Sequence, residues 1–398
     1  MTSAVKSLTL ALSLIFMVGC NSEPPESGGQ TAPEEPSEPE TIVSDWTLLR
    51  GDSNMLGITP ESFKLPLELA WSVPTDGPVS ATAVIAEGKA YVGSLGGPFY
   101  CLELETGDIL WQLDTELGVE GSACIVGDLV CFGDSEGFVR ALNRETGDEV
   151  WKYETMDAIV GGLNYYNTAE GKTLVIVGSD DFFLHAIDSE TGEGVWKVET
   201  ENYIKGAPSV VKEQGVCVFG GCDEVMRLVD AATGDLVKTV DIGAYMANSC
   251  AVRDGIAYVA HYGGEVLAID LDTGDTIWTY TAQDAEFEAS PAVAEEAVFV
   301  GGGDNTMRAI DRATGEQIWE FSSRRSFDSS PVITPELVLV GSDDGRMYAL
   351  DRKTGEEVWS YDTGQSINAS AAVSHGYVVI STNNREGQIF AFKSAGAE

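Results

Sequence analysis

The chain has 398 residues, and 64 Asp and Glu against 23 Lys and Arg give a formal net charge of −41. Such a surface repels nucleic acid and anionic lipid head groups and suits a basic partner, bound cations or a salty medium. A hydrophobic fraction of 43% leaves ample material for a buried core.

The first element is a targeting segment, expected over residues 1–20. Lys6 supplies a positive start, and Leu8 to Val18 is an apolar run too short to span a bilayer. It ends in Met17-Val18-Gly19-Cys20, which resembles a bacterial lipoprotein signal with Cys20 as the lipidated residue. Acyl chains on Cys20 would hold the protein on a membrane without a spanning helix. Asn21 follows the cysteine where aspartate would mark inner-membrane retention, which points to the outer membrane facing the periplasm. Residues 21–45 are expected to be a disordered tether: Pro24, Pro25, Pro33, Pro36 and Pro39 alternate with glutamates, and Asn21 to Thr41 has no basic residue. Proline and self-repulsion keep such a segment extended, with a reach of up to roughly 60 Å at about 3 Å per residue.

From Trp46 onward the chain repeats. Thr-Gly recurs seven times in a fixed eleven-residue frame, with glycines at Gly107, Gly147, Gly192, Gly234, Gly274, Gly315 and Gly355. The steps are 40, 45, 42, 40, 41 and 40 residues, the spacing of one supersecondary unit copied round a ring. Each unit reads as four short strands rich in Val, Ile, Leu and Tyr, separated by Gly, Asp, Asn and Ser. In unit seven these are Ser330 to Ile333, Leu337 to Gly341, Arg346 to Leu350 and Glu357 to Tyr361. Four strands per 40 residues predict a propeller blade. The fold class is therefore all-β, an eight-bladed β-propeller over residues 46–398.

The blade count rests on the tryptophan slot that closes the frame. Trp71, Trp111, Trp151, Trp196, Trp278, Trp319 and Trp359 occupy it, and Lys238 takes the remaining place. The last unit, ending at Gly387 to Phe392, has no Thr-Gly and no following Trp, so its outer strand is expected from Leu67 to Ser72. Pairing the N- and C-terminal strands closes the ring and removes a sheet edge. Frame aspartates such as Asp188, Asp230, Asp270, Asp311 and Asp351 are expected to accept backbone N–H bonds from the following turn. Burying one Trp ring removes roughly 200 Å² from water, a gross gain of about 5 kcal/mol. In blade four Leu228 stands for the frame alanine and Lys238 for Trp. Leu228 is expected to fill the space of the missing ring; the alternative is a weak seam between blades four and five.

The frame Ala-x-Asp-x-x-Thr-Gly-x-x-x-Trp resembles the tryptophan-docking motif of the pyrroloquinoline quinone (PQQ)-like β-propeller family. That family includes quinoprotein alcohol dehydrogenases and BamB-like outer-membrane assembly lipoproteins. The resemblance covers Trp46 to Phe392, and implies that each Trp packs between its own blade's Ala and the Gly turn of the next blade. It is specific for fold and almost silent about activity. In the dehydrogenases the quinone lies between a disulfide of adjacent cysteines and a Trp. Here no Cys-Cys pair occurs, and every Trp but Trp46 is used by the frame.

Other chemistry is sparse. His185, His261 and His375 lie in different blades without metal-ligand spacing, so no catalytic residue and no metal ligand is assigned. Arg50-Gly51-Asp52 is read as a coincidental match to an adhesion tripeptide, and the Asp270 to Asp275 calcium-loop mimic as a copy of the repeated turn. Cys101, Cys124, Cys131, Cys217, Cys222 and Cys250 read mostly as small buried residues, with a Cys124–Cys131 bridge across a hairpin turn as the alternative.

One constellation remains. Aligned units place Ser80, Glu120, Val160, Lys205, Ala247, Glu288, Asp328 and Asn368 at the start of each innermost strand, where they should ring the mouth of the central channel. Such a ring suits a cation or a small polar ligand, or only water. The adjoining loops carry Asp114, Glu116, Glu154, Asp157, Glu199, Glu201, Asp284 and Glu286, with Tyr203, Tyr245, Met246 and Phe287 as expected apolar surface. The expected function is a non-catalytic, lipid-anchored, BamB-like scaffold at the cell envelope. It would be a monomer that meets partner proteins through its loop face and the membrane only through its anchor. No cofactor is expected. The alternatives are a PQQ- or metal-dependent oxidoreductase, or a propeller that binds a small ligand or a cation such as calcium in its channel.

Overall fold

The computed structural model describes residues 44–396; the targeting segment, Cys20 and the tether as far as residue 43 lie outside the described residues. Thirty-two strands among them form eight antiparallel four-stranded sheets, the blades of a propeller. Seven blades take their strands consecutively from the chain. The eighth pairs Leu67–Pro74 with Gln388–Ser394, Leu67 opposite Ser394 and Pro74 opposite Gln388, so the ring closes where the sequence placed the closure. No helix of the described residues is long and apolar enough to cross a membrane.

Hydrophobic patterning explains the layering within each blade. The second strand of blade seven, Leu337–Gly341, is buried throughout, as a strand covered on both faces must be. The outermost strand, Glu357–Asp362, is largely exposed but turns the Trp359 side inward. The expected turn chemistry is present. Asp351 Oδ1 accepts from Lys353 N at 3.0 Å and Thr354 N at 2.9 Å, while Gly355 donates to the Asp351 carbonyl with φ +74°. That left-handed conformation suits glycine.

Tryptophan docking runs from each blade to the next. A Cβ on Gly147 would lie 2.8 Å from Trp111, and one on Gly355 would lie 2.6 Å from Trp319. Only glycine lets the ring approach that closely. Five of the seven rings, Trp71, Trp111, Trp151, Trp278 and Trp319, also donate from Nε1 to a backbone carbonyl of the neighbouring turn, as Trp71 does to Leu104 O at 2.8 Å and Trp319 to Arg352 O at 3.0 Å. Blade four reproduces this contact by other means. Lys238 Nζ donates to Leu271 O at 3.1 Å, the equivalent carbonyl in blade five, and also to Asp272 O, with its stem over Gly274. Leu228, opposite Lys238 in register, packs in a cluster with Val259, Leu267, Ile269 and Leu271 of blade five. The place of the indole over Gly274 is thus taken by the Lys238 stem together with Val240.

Residues 44–61 form a strap that the repeat pattern gave no reason to expect. It contacts the innermost strands of all eight blades in chain order. Trp46 pairs with Ile85, Ile125 donates to Thr47 O, and Asn164 Nδ2 reaches Ser53 O. Val210, Val252, Val293 and Ile333 then donate to Ser53, Asn54, Leu56 and Gly57. Buried Glu61 ends the circuit by accepting from His375 N at 2.9 Å and Gly376 N at 2.8 Å. Ser44 and Asp45, which the sequence assigns to the tether, also touch the body: Ser374 Oγ donates to Ser44 O at 2.7 Å, and His375 Nε2 lies 3.0 Å from Asp45.

The six cysteines of this region are free thiols, and all but half-buried Cys222 are buried. Cys124 and Cys131 stand directly opposite each other across their hairpin.

Candidate functional site: the central shaft and its mouth

The innermost strands surround a shaft of about 150 Å³. Its wall carries small residues, because eight strands converging on one axis leave no room for larger ones. Several of these are hydroxyls that join neighbouring blades. Ser122 Oγ accepts from Thr82 N at 2.9 Å, Ser249 Oγ from Ala207 N at 2.9 Å, and Ser290 Oγ from Ser249 N at 3.0 Å. Ser330 Oγ and Thr82 Oγ1 continue the belt by accepting from Ser290 N and Ser370 N.

Ser80, Glu120, Val160, Lys205, Ala247, Glu288 and Asn368 all line this shaft. None of them is buried, in contrast to the belt below. Asp328 is the exception: it lies beside the shaft rather than on its lining, 3.3 Å from Asn368 Nδ2, which also donates to Asp343 Oδ1 at 2.8 Å.

Charge is unevenly divided round the mouth. Lys205 Nζ lies 3.3 Å from Asp180 Oδ2. Burial pushes the Asp180 carboxyl above the usual range against the pull of Lys205. Partial enclosure does the same to Glu120, with Lys205 opposing and Asp180 adding to the shift. Across the mouth, burial together with Asp343 and Glu288 pushes Asp328 up to about 7. Burial and then Glu288 raise the Tyr262 hydroxyl beside it, and the Tyr262 ring stacks on Tyr245 at 4.4 Å.

The strap lies over the other end, where Leu49 joins the lining. Arg50 is fully buried, donating from Nη2 to Pro291 O at 3.4 Å, while its Nε and Nη1 have no partner among the described residues. Burial lowers its pKa to about 9 and raises that of neighbouring Asp52 to about 6. The Arg-Gly-Asp sequence is therefore an internal fitting. Gly51 sits against the Trp46 ring, and a Cβ on Gly57 would collide with the Arg50 guanidinium.

The loops round the mouth differ from expectation in one respect. Tyr203 and Tyr245 are exposed, but Met246 and Phe287 are buried, because they turn down between blades to pack on Gly220 and beside Gly302. The exposed apolar surface comes from residues that sequence reasoning passed over. Large exposed apolar side chains among the described residues fall into two groups: those on the outermost strands, and Leu117, Met156, Phe182, Tyr203 and Tyr245. The second group occupies consecutive loops from blade one to blade five, with Phe182 and Tyr203 in edge contact at 5.2 Å. Glu116, Asp157 and Glu201 are exposed among them. A large apolar residue at a loop tip, as in Glu116-Leu117-Gly118 or Thr155-Met156-Asp157, was the signal available in the sequence.

Comparison with known proteins agrees with this architecture. The family model described as outer membrane protein assembly factor BamB matches residues 68–162, 135–237 and 221–397. A BamB from Kangiella koreensis is 25% identical over 127 residues, covering 29% of this chain and 32% of that protein. A quinohemoprotein alcohol dehydrogenase from Comamonas testosteroni is 37% identical over 78 residues, covering 17% of this chain and 11% of the enzyme. The chain thus matches a third or less of the length of each of these two relatives. The crystal structure of BamB from Moraxella catarrhalis superposes with a TM-score of 0.69 at 20% identity, covering 82% of this chain and all of that one, a likeness of fold.

Proposed function

The chain belongs to the family described as outer membrane protein assembly factor BamB, and from that premise we propose that it is a non-catalytic, lipid-anchored scaffold of the bacterial cell envelope. Cys20 would carry the anchor, residues 21–43 would give the body reach, and the mouth face would receive partner proteins. The observation that carries this reading is the arc of Leu117, Met156, Phe182, Tyr203 and Tyr245 set among exposed carboxylates. Apolar anchors within a charged rim are the composition of a protein interface, and the acidic rim favours a partner segment with basic and apolar side chains. The test is a crosslinked pull-down from the native envelope with the wild type and with Met156→Asp/Tyr203→Asp. Recovery of an outer-membrane barrel assembly factor by the wild type, reduced at least tenfold in the double variant, supports the reading. Equal recovery by both proteins sinks the arc as the docking surface.

The similarity to the alcohol dehydrogenase favours a second reading, a quinone-dependent oxidoreductase. The shaft fits that cofactor poorly: its described lining includes no aromatic ring and no cysteine to enclose a planar quinone. Dye-linked alcohol or sugar oxidation after addition of PQQ and calcium would establish this reading in place of the scaffold.

A further inference from the structure

Two buried thiols of blade two face each other. Cys124 and Cys131 are paired in register across the hairpin of Cys124–Val126 and Leu129–Gly133, whose turn is Gly127-Asp128. Both are free and 0% exposed, and they share a cluster with Leu48 of the strap and Trp151. Ile125 donates its N–H to Thr47 O of the strap, so its backbone points away from the partner strand. Alternation then turns the N–H and C=O of Cys124 toward Cys131, the kind of pair whose Cα atoms stand about 5.5 Å apart. Directly opposed side chains lie on one face of the sheet, and a disulfide spans Cα separations of about 4.4–6.8 Å. The thiols also sense each other: Cys131, and then burial, pushes the Cys124 thiol well above its ordinary range.

The other cysteines of the propeller have no such partner. Cys101 stands opposite Tyr91 on one side and Trp111 on the other, and Cys217 opposite Val210 and Val229. Cys250 lies near Cys217 across the blade boundary, but its Sγ is engaged by Val218 O at 3.8 Å and Ser209 Oγ at 3.7 Å. Half-buried Cys222 lies in a turn.

We propose that Cys124 and Cys131 form a disulfide as the chain folds, closing the innermost hairpin of blade two against the strap. The oxidant is itself a disulfide, of glutathione or of a protein. The envelope location proposed above supplies it, and only in that respect does the inference rest on that reading. The thiolate of one cysteine attacks the S–S bond of the oxidant and forms a mixed disulfide, releasing one oxidant sulfur. The thiolate of the other then attacks the first cysteine's Sγ. The Cys124 Sγ–Cys131 Sγ bond forms, and the oxidant's two sulfurs take up the two electrons and the two thiol protons. Burial sets the timing. An enclosed thiol is not ionised and is out of an oxidant's reach, so the bridge forms before blade two is packed and is afterwards shielded from reductant.

The test starts from purified full-length protein, unfolded, reduced and refolded in a glutathione redox buffer. It is then denatured, alkylated and cut on the N-terminal side of aspartate. Asp128 lies between the two cysteines, and Asp114 and Asp134 flank them. Residues 114–127 and 128–133 therefore stay together only through a Cys124–Cys131 bond, and part on reduction. The joined pair should predominate, with Cys101, Cys217, Cys222 and Cys250 alkylated. Folded, reduced protein placed in the same buffer should bridge roughly a hundredfold more slowly. Alkylation of both Cys124 and Cys131 after refolding overturns the proposal, as does either one joined to a different cysteine. Protein isolated from the native envelope separates the two readings. A bridge that forms on refolding and is missing there leaves the pairing intact and counts against the compartment.

Discussion

Replacing Leu228 by Ala tests whether blade four is compensated or weak. Leu228 is 3% exposed, lies opposite Lys238 in register and shares a buried cluster with residues of blade five. A buried Leu→Ala change costs about 2–5 kcal/mol, and about 3 is expected here because the surrounding strands cannot collapse onto the void. The matching control, Ala349→Gly in a blade with its Trp, removes one methyl and frees the backbone, about 1.5 kcal/mol in all. At about 2.1 cal/mol/K of unfolding entropy per residue over about 350 residues, these losses lower Tm by about 4 °C and about 2 °C. Differential scanning calorimetry resolves that difference. Lys238→Met is the companion variant: it keeps an apolar stem over Gly274 but drops the bonds to Leu271 O and Asp272 O, and should cost about 1–3 kcal/mol. If Leu228→Ala loses no more than Ala349→Gly, Leu228 is not standing in for a ring and the seam is held by something else.

Two further outcomes are expected. Glu61→Ala leaves the backbone N–H groups of His375 and Gly376 without their carboxylate, and should cost about 2–3 kcal/mol and open the strap to limited proteolysis; unchanged cleavage would show that the strap holds without this clasp. Asp328, raised by burial and by its carboxylate neighbours, stabilises the fold in its protonated form below the ordinary Asp pKa near 4, and that contribution is lost as pH rises through about 7. Asp328→Asn should therefore stabilise the fold more at pH 8 than at pH 5, by about 1–2 kcal/mol after allowance for solvent at this half-buried site, read as a larger rise in Tm at pH 8; equal shifts at both pH values would rule out the carboxylate cluster as the cause.

The repeat made most of the fold legible, because Thr-Gly and Trp have to recur wherever one blade seats on the next. Blade four shows the limit of that signal: a lysine in a tryptophan slot looks like a defect until its ammonium is seen on the carbonyl that the indoles use. The shaft ring was legible because its positions share an offset from the frame, yet Asp328 leaves the lining to meet Asn368 and Asp343, a choice made by neighbours and not by register. Met246 and Phe287 were misplaced for a related reason. A loop residue next to a channel position can point up to solvent or down between blades, and periodicity does not distinguish the two. The strap was invisible because residues 44–61 belong to no repeat, and their partners are strands that lie up to the far end of the chain.

That strap also sets the order in which the molecule can be completed. It leaves the ribosome before any blade, while Gly376, which clasps Glu61, and Ser394, which pairs with Leu67, follow only after seven blades have been made. Contacts separated by more than 300 residues form slowly, since the whole intervening chain must be gathered before they reward it. A nascent or truncated chain would hold blades with an unclosed seam and an unpaired edge strand, both prone to association. Synthesis through the eighth blade is thus a checkpoint: the strap can engage blades one to seven as they form, but its Glu61 clasp closes only on the eighth.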